Sequence, residues 1–218
     1  MSKKIAVIFD LDGTLIHSAP DMQTAINTAL QPIGRGPLEL STVISFVGNG
    51  VERLVERSLM FTGGSHPDLQ RETVARFLAA YEANGVARTH VYPGVLQQLK
   101  HLRSAGLKLG LCTNKPMEPT RHICDALELS PFFTSLVGAT PSRPKKPDPA
   151  ALQACLAELG VSSEQALFVG DSAVDHATAK AAGMDFCLYT NGYLNTEIPD
   201  PEPVLRFDDW SDVTLFSS

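Results

Sequence analysis

Short apolar runs alternate with helical stripes along most of this chain. The runs cover residues 4–9, 107–112, 136–138, 166–169 and 186–189, each almost continuously apolar. A strand covered on both faces reads this way, whereas a half-exposed strand alternates. Between the runs, Val95, Leu96, Leu99 and Leu102 keep a helical stripe that stops at Gly106. Leu152, Cys155, Leu156 and Leu159 keep another that stops at Gly160. Glycine just past the last apolar position is a common helix stop. Strands and helices in alternation predict a parallel sheet with helices on both faces.

Residues 17–89 break that rhythm. Asp21, Met22, Ala25, Ile26 and Ala29 share one helical face, and residues 51–59 and 69–81 form two further helical segments. Gly63-Gly64 and Gly85 punctuate them, and no convincing strand lies among them. A helical block placed between the first and second strands reads as an insertion. The expected fold is therefore α/β: a Rossmann-like parallel sheet core, residues 1–16 and 90–218, with an inserted helical cap, residues 17–89.

Composition agrees with a globular chain and narrows its partners. Of 218 residues, 44% are hydrophobic and 19% charged, enough for a substantial core. A net charge of -6 leaves no basic footprint of the kind nucleic acid or an anionic membrane needs. The one basic cluster is Arg143-Pro144-Lys145-Lys146. The apolar run after Lys4 is too short for a signal-peptide core, and none reaches the roughly 18 residues of a membrane span. Cys112, Cys124, Cys155 and Cys187 stand far apart with no Cys-x-x-Cys pair, as buried, reduced thiols of a cytoplasmic protein would. The oligomeric state is left open.

The chemistry gathers where the strands end. The first run leads into Asp10-Leu11-Asp12-Gly13-Thr14, the second into Thr113-Asn114-Lys115, and the fourth into Gly170-Asp171-Ser172, with Asp175 one helical turn later. In a parallel sheet these carboxyl ends share one edge, where open α/β sheets bind ligands. Asp10 and Asp12 are two apart, so an extended chain points both the same way. Crowding Asp171 beside them adds repulsion that a hard cation relieves, and Mg²⁺ characteristically takes one or two carboxylates plus substrate phosphate. Thr113 offers a hydroxyl and Asn114 an amide to phosphoryl oxygens, and Lys146, in Lys146-Pro147-Asp148-Pro149, a compact positive charge. Singly, each motif is also an ordinary turn, cap or solvated charge run. Their order, each at or beside a strand end, argues for a site.

Together these segments resemble the four motifs of the haloacid dehalogenase superfamily, over nearly the whole chain. The insertion after the first motif is similar to the cap of the subgroup that includes phosphoglycolate phosphatases. The resemblance implies that Asp10 is the nucleophile that becomes an aspartyl-phosphate. Asp12 would serve as general acid and then base. Asp10, the backbone carbonyl of Asp12, and Asp171 would hold Mg²⁺, with Asp175 an acid just behind them. Thr113 and Lys146 would bind the phosphoryl group, Lys146 also steadying Asp10. An acid at position 12 implies a phosphatase or a mutase rather than a dehalogenase or a transport ATPase.

The cap segment Ser45-Phe46-Val47-Gly48-Asn49-Gly50-Val51-Glu52-Arg53-Leu54 resembles that of bacterial phosphoglycolate phosphatases, which implies 2-phosphoglycolate as the small phosphate ester hydrolysed. Gly48, Asn49, Gly50 and Arg53 are the candidate residues for its leaving group, because a helix starting after Gly50 would present free backbone N–H groups. A plain turn at 48–50, and Arg53 as a partner for Glu56, are the competing readings. One departure stands out: Gly138-Ala139-Thr140-Pro141-Ser142 replaces the Gly-Gly-Asp usual in relatives, which puts the path to Lys146 in question. Two rivals remain: a phospho-acceptor receiver module, which has no use for a cap-sized insertion, and a sugar-phosphate mutase, for which His17 is the sole candidate basic residue after the first motif.

Overall fold

The computed structural model describes residues 3–213. In chain order the elements are β1 (Ala6–Phe9), β2 (Ile16–His17), α1 (Ala19–Leu30), α2 (Leu40–Ile44), α3 (Val51–Thr62), α4 (Pro67–Asn84), β3 (His90–Val91) and α5 (Val95–Ser104). There follow β4 (Lys108–Pro116), α6 (Met117–Ala126), β5 (Ser135–Ala139), α7 (Ala150–Leu159), β6 (Ala166–Gly170), α8 (Ala173–Ala181), β7 (Asp185–Tyr189) and β8 (Leu205–Phe207). The chain divides into two compact units, residues 1–17 with 91–218, and residues 18–90. Among the described residues no helix is long and apolar enough to cross a membrane.

The first unit is built on a six-stranded sheet in the order β5-β4-β1-β6-β7-β8. Every pairing in it is parallel. β1 lies between β4 and β6, and its four residues Ala6 to Phe9 have no exposure at all, which is why their sequence is apolar without alternation. On one face Ile8, Cys112 and Phe168 pack with Leu152, Cys155 and Leu159 of α7. All four cysteines are free and buried. Burial pushes the Cys124, Cys155 and Cys187 thiols up to about 12, so they are inert as nucleophiles.

The register sets the site. Phe9 pairs with Leu111 of β4 and with Val169 of β6, so the residues just beyond these positions emerge together at one edge. β4 runs further than its apolar residues alone predict: it continues through Thr113, Asn114 and Lys115, whose polar side chains are nevertheless buried. The edge strand β8 and the two-residue β2 and β3 had no sequence signal, being too short to show a period.

The second unit is helical, α1 packing on α4 and α4 on α3. Its two ends are tied by Asp21, 1% exposed, which accepts from the backbone N–H groups of Arg88 and Thr89 and from the Thr89 hydroxyl. Four hydrogen-bond contacts to one carboxylate account for an acid in a helix stripe that otherwise reads as apolar.

Candidate active site

Three strand ends deliver the predicted residues to one place. Asp10 N–H continues the β1–β6 ladder by donating to Val169 O at 2.9 Å. The chain then folds tightly, with the N–H groups of Thr14, Leu15 and Ile16 all directed at Leu11 O. Gly13, at φ 88°, is required inside this turn: a Cβ there would lie 2.2 Å from an Asp171 carboxylate oxygen. A second glycine, Gly192 in the loop after β7, closes the same space, since its Cβ would meet Gly13 O at 2.3 Å.

Asp171, at the end of β6, is 2% exposed and fixed at both oxygens. Thr14 Oγ1 donates to Oδ1 at 2.9 Å and the Tyr193 backbone N–H to Oδ2 at 2.6 Å. Trp210 Nε1 donates to the Thr14 carbonyl at 3.1 Å, so the C-terminal segment braces the same turn. Thr14 stood in the sequence reading only as the end of the first motif, with no role, and Gly192, Tyr193 and Trp210 went unnamed. Only a glycine-aromatic pair after the last long strand could have hinted at two of them.

Lys146 is the electrostatic centre. Its ammonium lies 2.8 Å from Asp10 Oδ1 as an ion pair, and donates to Asp175 Oδ1 at 2.6 Å and to the Cys112 carbonyl at 3.1 Å. Burial opposes this charge, but Asp10 and Asp175 together outweigh it and raise the lysine's pKa. Asp175 is held at its other oxygen by the Ser172 hydroxyl, while Ser172 caps α8 by accepting from the Asp175 N–H. Asp175 therefore stands behind Asp10 and orients Lys146.

Asn114 turns out to serve Lys146. Its amide Nδ2 donates to Lys146 O at 3.0 Å and its Oδ1 accepts from Lys146 N–H at 2.8 Å. This two-point clamp places Lys146 despite the unusual segment at residues 138–142. The clamp uses Oδ1 and one of the two Nδ2 protons of the side chain. Thr113, 3% exposed, accepts from Lys115 N–H at 3.2 Å, which leaves its hydroxyl proton to donate. The Asp12 carboxylate meets Lys115 Nζ at 3.1 and 3.2 Å.

The acids suit a hard cation. Asp10, Asp171 and Asp175 each present a ligand oxygen within 4.8 Å of the others, all buried. Asp10 Oδ1 faces Lys146 as an ion pair but accepts no aligned hydrogen bond, leaving a buried lone pair. Burial, opposed by Lys146 and reinforced by Asp175, pushes the Asp10 carboxyl up to about 7. Burial and the charges of Asp175 and Asp10 raise Asp171 well above the carboxylate range, against the Tyr193 and Thr14 donors. Crowded anions with oxygen-only donors fit Mg²⁺. The Asp12 carboxylate is outside this group and meets Lys115 instead.

In the second unit, Gly50 is the residue before α3, at φ 86°, and Gly48 has φ 113°. Arg53 pairs with Glu56 at 2.6 Å and is 64% exposed, the competing reading of that residue. Arg57, unnamed in the sequence reading, holds the loop: it donates to Asn49 Oδ1 at 2.9 Å and to Phe46 O at 3.2 Å. His17 lies between two tyrosines, its Nδ1 3.0 Å from Tyr193 Oη and 3.5 Å from Tyr92 Oη.

Residues 7–189 match the profile described as haloacid dehalogenase-like hydrolase. The chain belongs to this family. Over 194 residues it is 45% identical to a phosphoglycolate phosphatase of Cereibacter sphaeroides, covering 88% of each chain. To the phosphoglycolate phosphatase of Rhodospirillum rubrum it is 41% identical over 211 residues, 94% of this chain and 88% of that one. Its structure superposes with a TM-score of 0.90 on a Haemophilus somnus protein described as a predicted phosphoglycolate phosphatase, at 30% identity and 97% coverage of both. This haloacid dehalogenase-like protein is a phosphatase, a phosphoric monoester hydrolase. An enzyme of this family is not a receiver module.

Proposed function

We propose that the protein is an Mg²⁺-dependent hydrolase of 2-phosphoglycolate that works through an aspartyl-phosphate on Asp10. The observation that carries the mechanism is the pairing at the end of β1. A buried Asp10 faces a buried ammonium at 2.8 Å, and an acid two residues on is held by a different lysine. This pairing supports a reading in which one carboxylate attacks and the other moves a proton.

Asp10 attacks phosphorus, and the ester P–O bond breaks with its electron pair going to the glycolate oxygen. Asp12 delivers a proton to that oxygen. It then takes one from the water that attacks the acyl phosphate, which returns Asp10 as a carboxylate and releases phosphate. Lys146 and the Thr113 hydroxyl bind the phosphoryl oxygens, and Asn114 and Asp175 keep Lys146 in place. Asp10, the Asp12 carbonyl and Asp171 would hold Mg²⁺, whose contribution when bound is to neutralise charge between nucleophile and phosphoryl group. The names of the relatives support glycolate as the leaving group. Phosphate release from a panel of esters, 2-phosphoglycolate among them, with and without Mg²⁺, tests the reading. Equal turnover of all of them would reject the substrate and keep the chemistry.

A further inference from the structure

We infer that Lys115 receives the carboxylate of the substrate, exchanging Asp12 for it. This rests on 2-phosphoglycolate being the substrate. That molecule has two anionic ends, a phosphoryl group and a carboxylate two bonds from the ester oxygen. Among the described residues, the buried lysines are Lys115 and Lys146, 7% and 4% exposed, and no arginine is buried. Burying an ammonium costs several kcal/mol unless anions accompany it. The site contains two such cations for a substrate with two anions.

The two lysines are held differently. Lys146 sits at 2.6 and 2.8 Å from its carboxylates, the spacing of tight charge-assisted pairs. Lys115 straddles both oxygens of Asp12 at 3.1 and 3.2 Å, longer than the ~2.7–2.9 Å of such a pair. A loose ammonium–carboxylate contact exchanges readily for another of the same kind. Its place is also right: Asp12 meets the ester oxygen, so an ammonium touching Asp12 lies beside the carbon that bears the substrate's carboxylate. The alternative reader, the Gly48–Gly50 segment, is less well supplied with charge, since Arg53 pairs with Glu56 and Arg57 holds Asn49.

The experiment compares kcat/KM for 2-phosphoglycolate and for ethyl phosphate, which puts a methyl group where the carboxylate was. Lys115→Gln should lower the ratio of the two by about ten- to a hundredfold, mainly through a higher KM for phosphoglycolate. Lys115→Arg, which keeps the charge, should retain most of the preference. Should Lys115→Gln fail to fold, Lys115→Met keeps the apolar stem and carries the same comparison. A variant that loses both substrates equally, in a wild type that prefers phosphoglycolate, overturns the role of Lys115 alone. A wild type without that preference overturns the substrate reading and this inference with it.

Discussion

The Asn114 side-chain amide clamps the backbone of Lys146, accepting from its N–H at 2.8 Å and donating to its carbonyl at 3.0 Å. Two segments 32 residues apart in the chain are thereby joined under the nucleophile. Asn114→Ala would leave both Lys146 backbone groups buried without partners, at about 1–3 kcal/mol each. The expected outcome is a lower melting temperature together with a fall in kcat of tenfold or more, as Lys146 loses its position. A variant with unchanged melting temperature and only a raised KM would make Asn114 a substrate contact instead.

Asp10→Asn separates chemistry from stability. Without a carboxylate there is no covalent step, so phosphate release should drop to background. Because burial and Asp175 make the Asp10 charge unfavourable without metal, the metal-free variant should melt no lower than the wild type at pH 8. Turnover within about tenfold of wild type would exclude Asp10 as the nucleophile.

The raised pKa of Asp10 predicts how metal and pH trade off. A carboxyl with a folded pKa above its unfolded one stabilises the native state at low pH and loses that effect as pH rises, here between the ordinary 3.8 and about 7. Metal-free protein should therefore become less stable across that window. Mg²⁺ requires the same oxygens deprotonated, so the rise in melting temperature on adding it should be larger at pH 8 than at pH 5. Thermal melts at both pH values, in EDTA and in excess Mg²⁺, measure this. A larger shift at pH 5 would contradict the assignment of the site.

Gly192→Ala tests the approach of three loops. The added methyl would stand 2.3 Å from Gly13 O and 2.4 Å from the Asp171 Cβ, and the backbone carbonyl has little room to yield. Overpacking of this kind costs about 1–3 kcal/mol. Because it displaces Asp171, the Mg²⁺ concentration for half-maximal activity should rise as well. Wild-type Mg²⁺ dependence in the variant would mean the loop after β7 supports the fold and not the metal site.

Much of this was written in local patterns. Unbroken apolar runs identify strands buried on both faces, because no face of such a strand meets water. Polar residues that interrupt them at their carboxyl ends then mark the edge where Asp10, Thr113 and Asp171 emerge. The helical insertion also shows in the sequence, where the period changes from strand to helix. Partnership does not. That Asn114 serves Lys146, that Lys115 rather than Lys146 meets Asp12, and that Arg57 rather than Arg53 holds Asn49 depend on which side chains face one another after folding. Such choices involve hydrogen bonds of similar strength between groups 8 to 103 residues apart, and no periodicity encodes them. The roles of Thr14, Gly192, Tyr193 and Trp210 were invisible for the same reason. The Thr14 hydroxyl, the Tyr193 N–H, the Trp210 indole behind Thr14 and the close approach of Gly192 gather around Asp171 only once β1, β6 and β7 lie side by side.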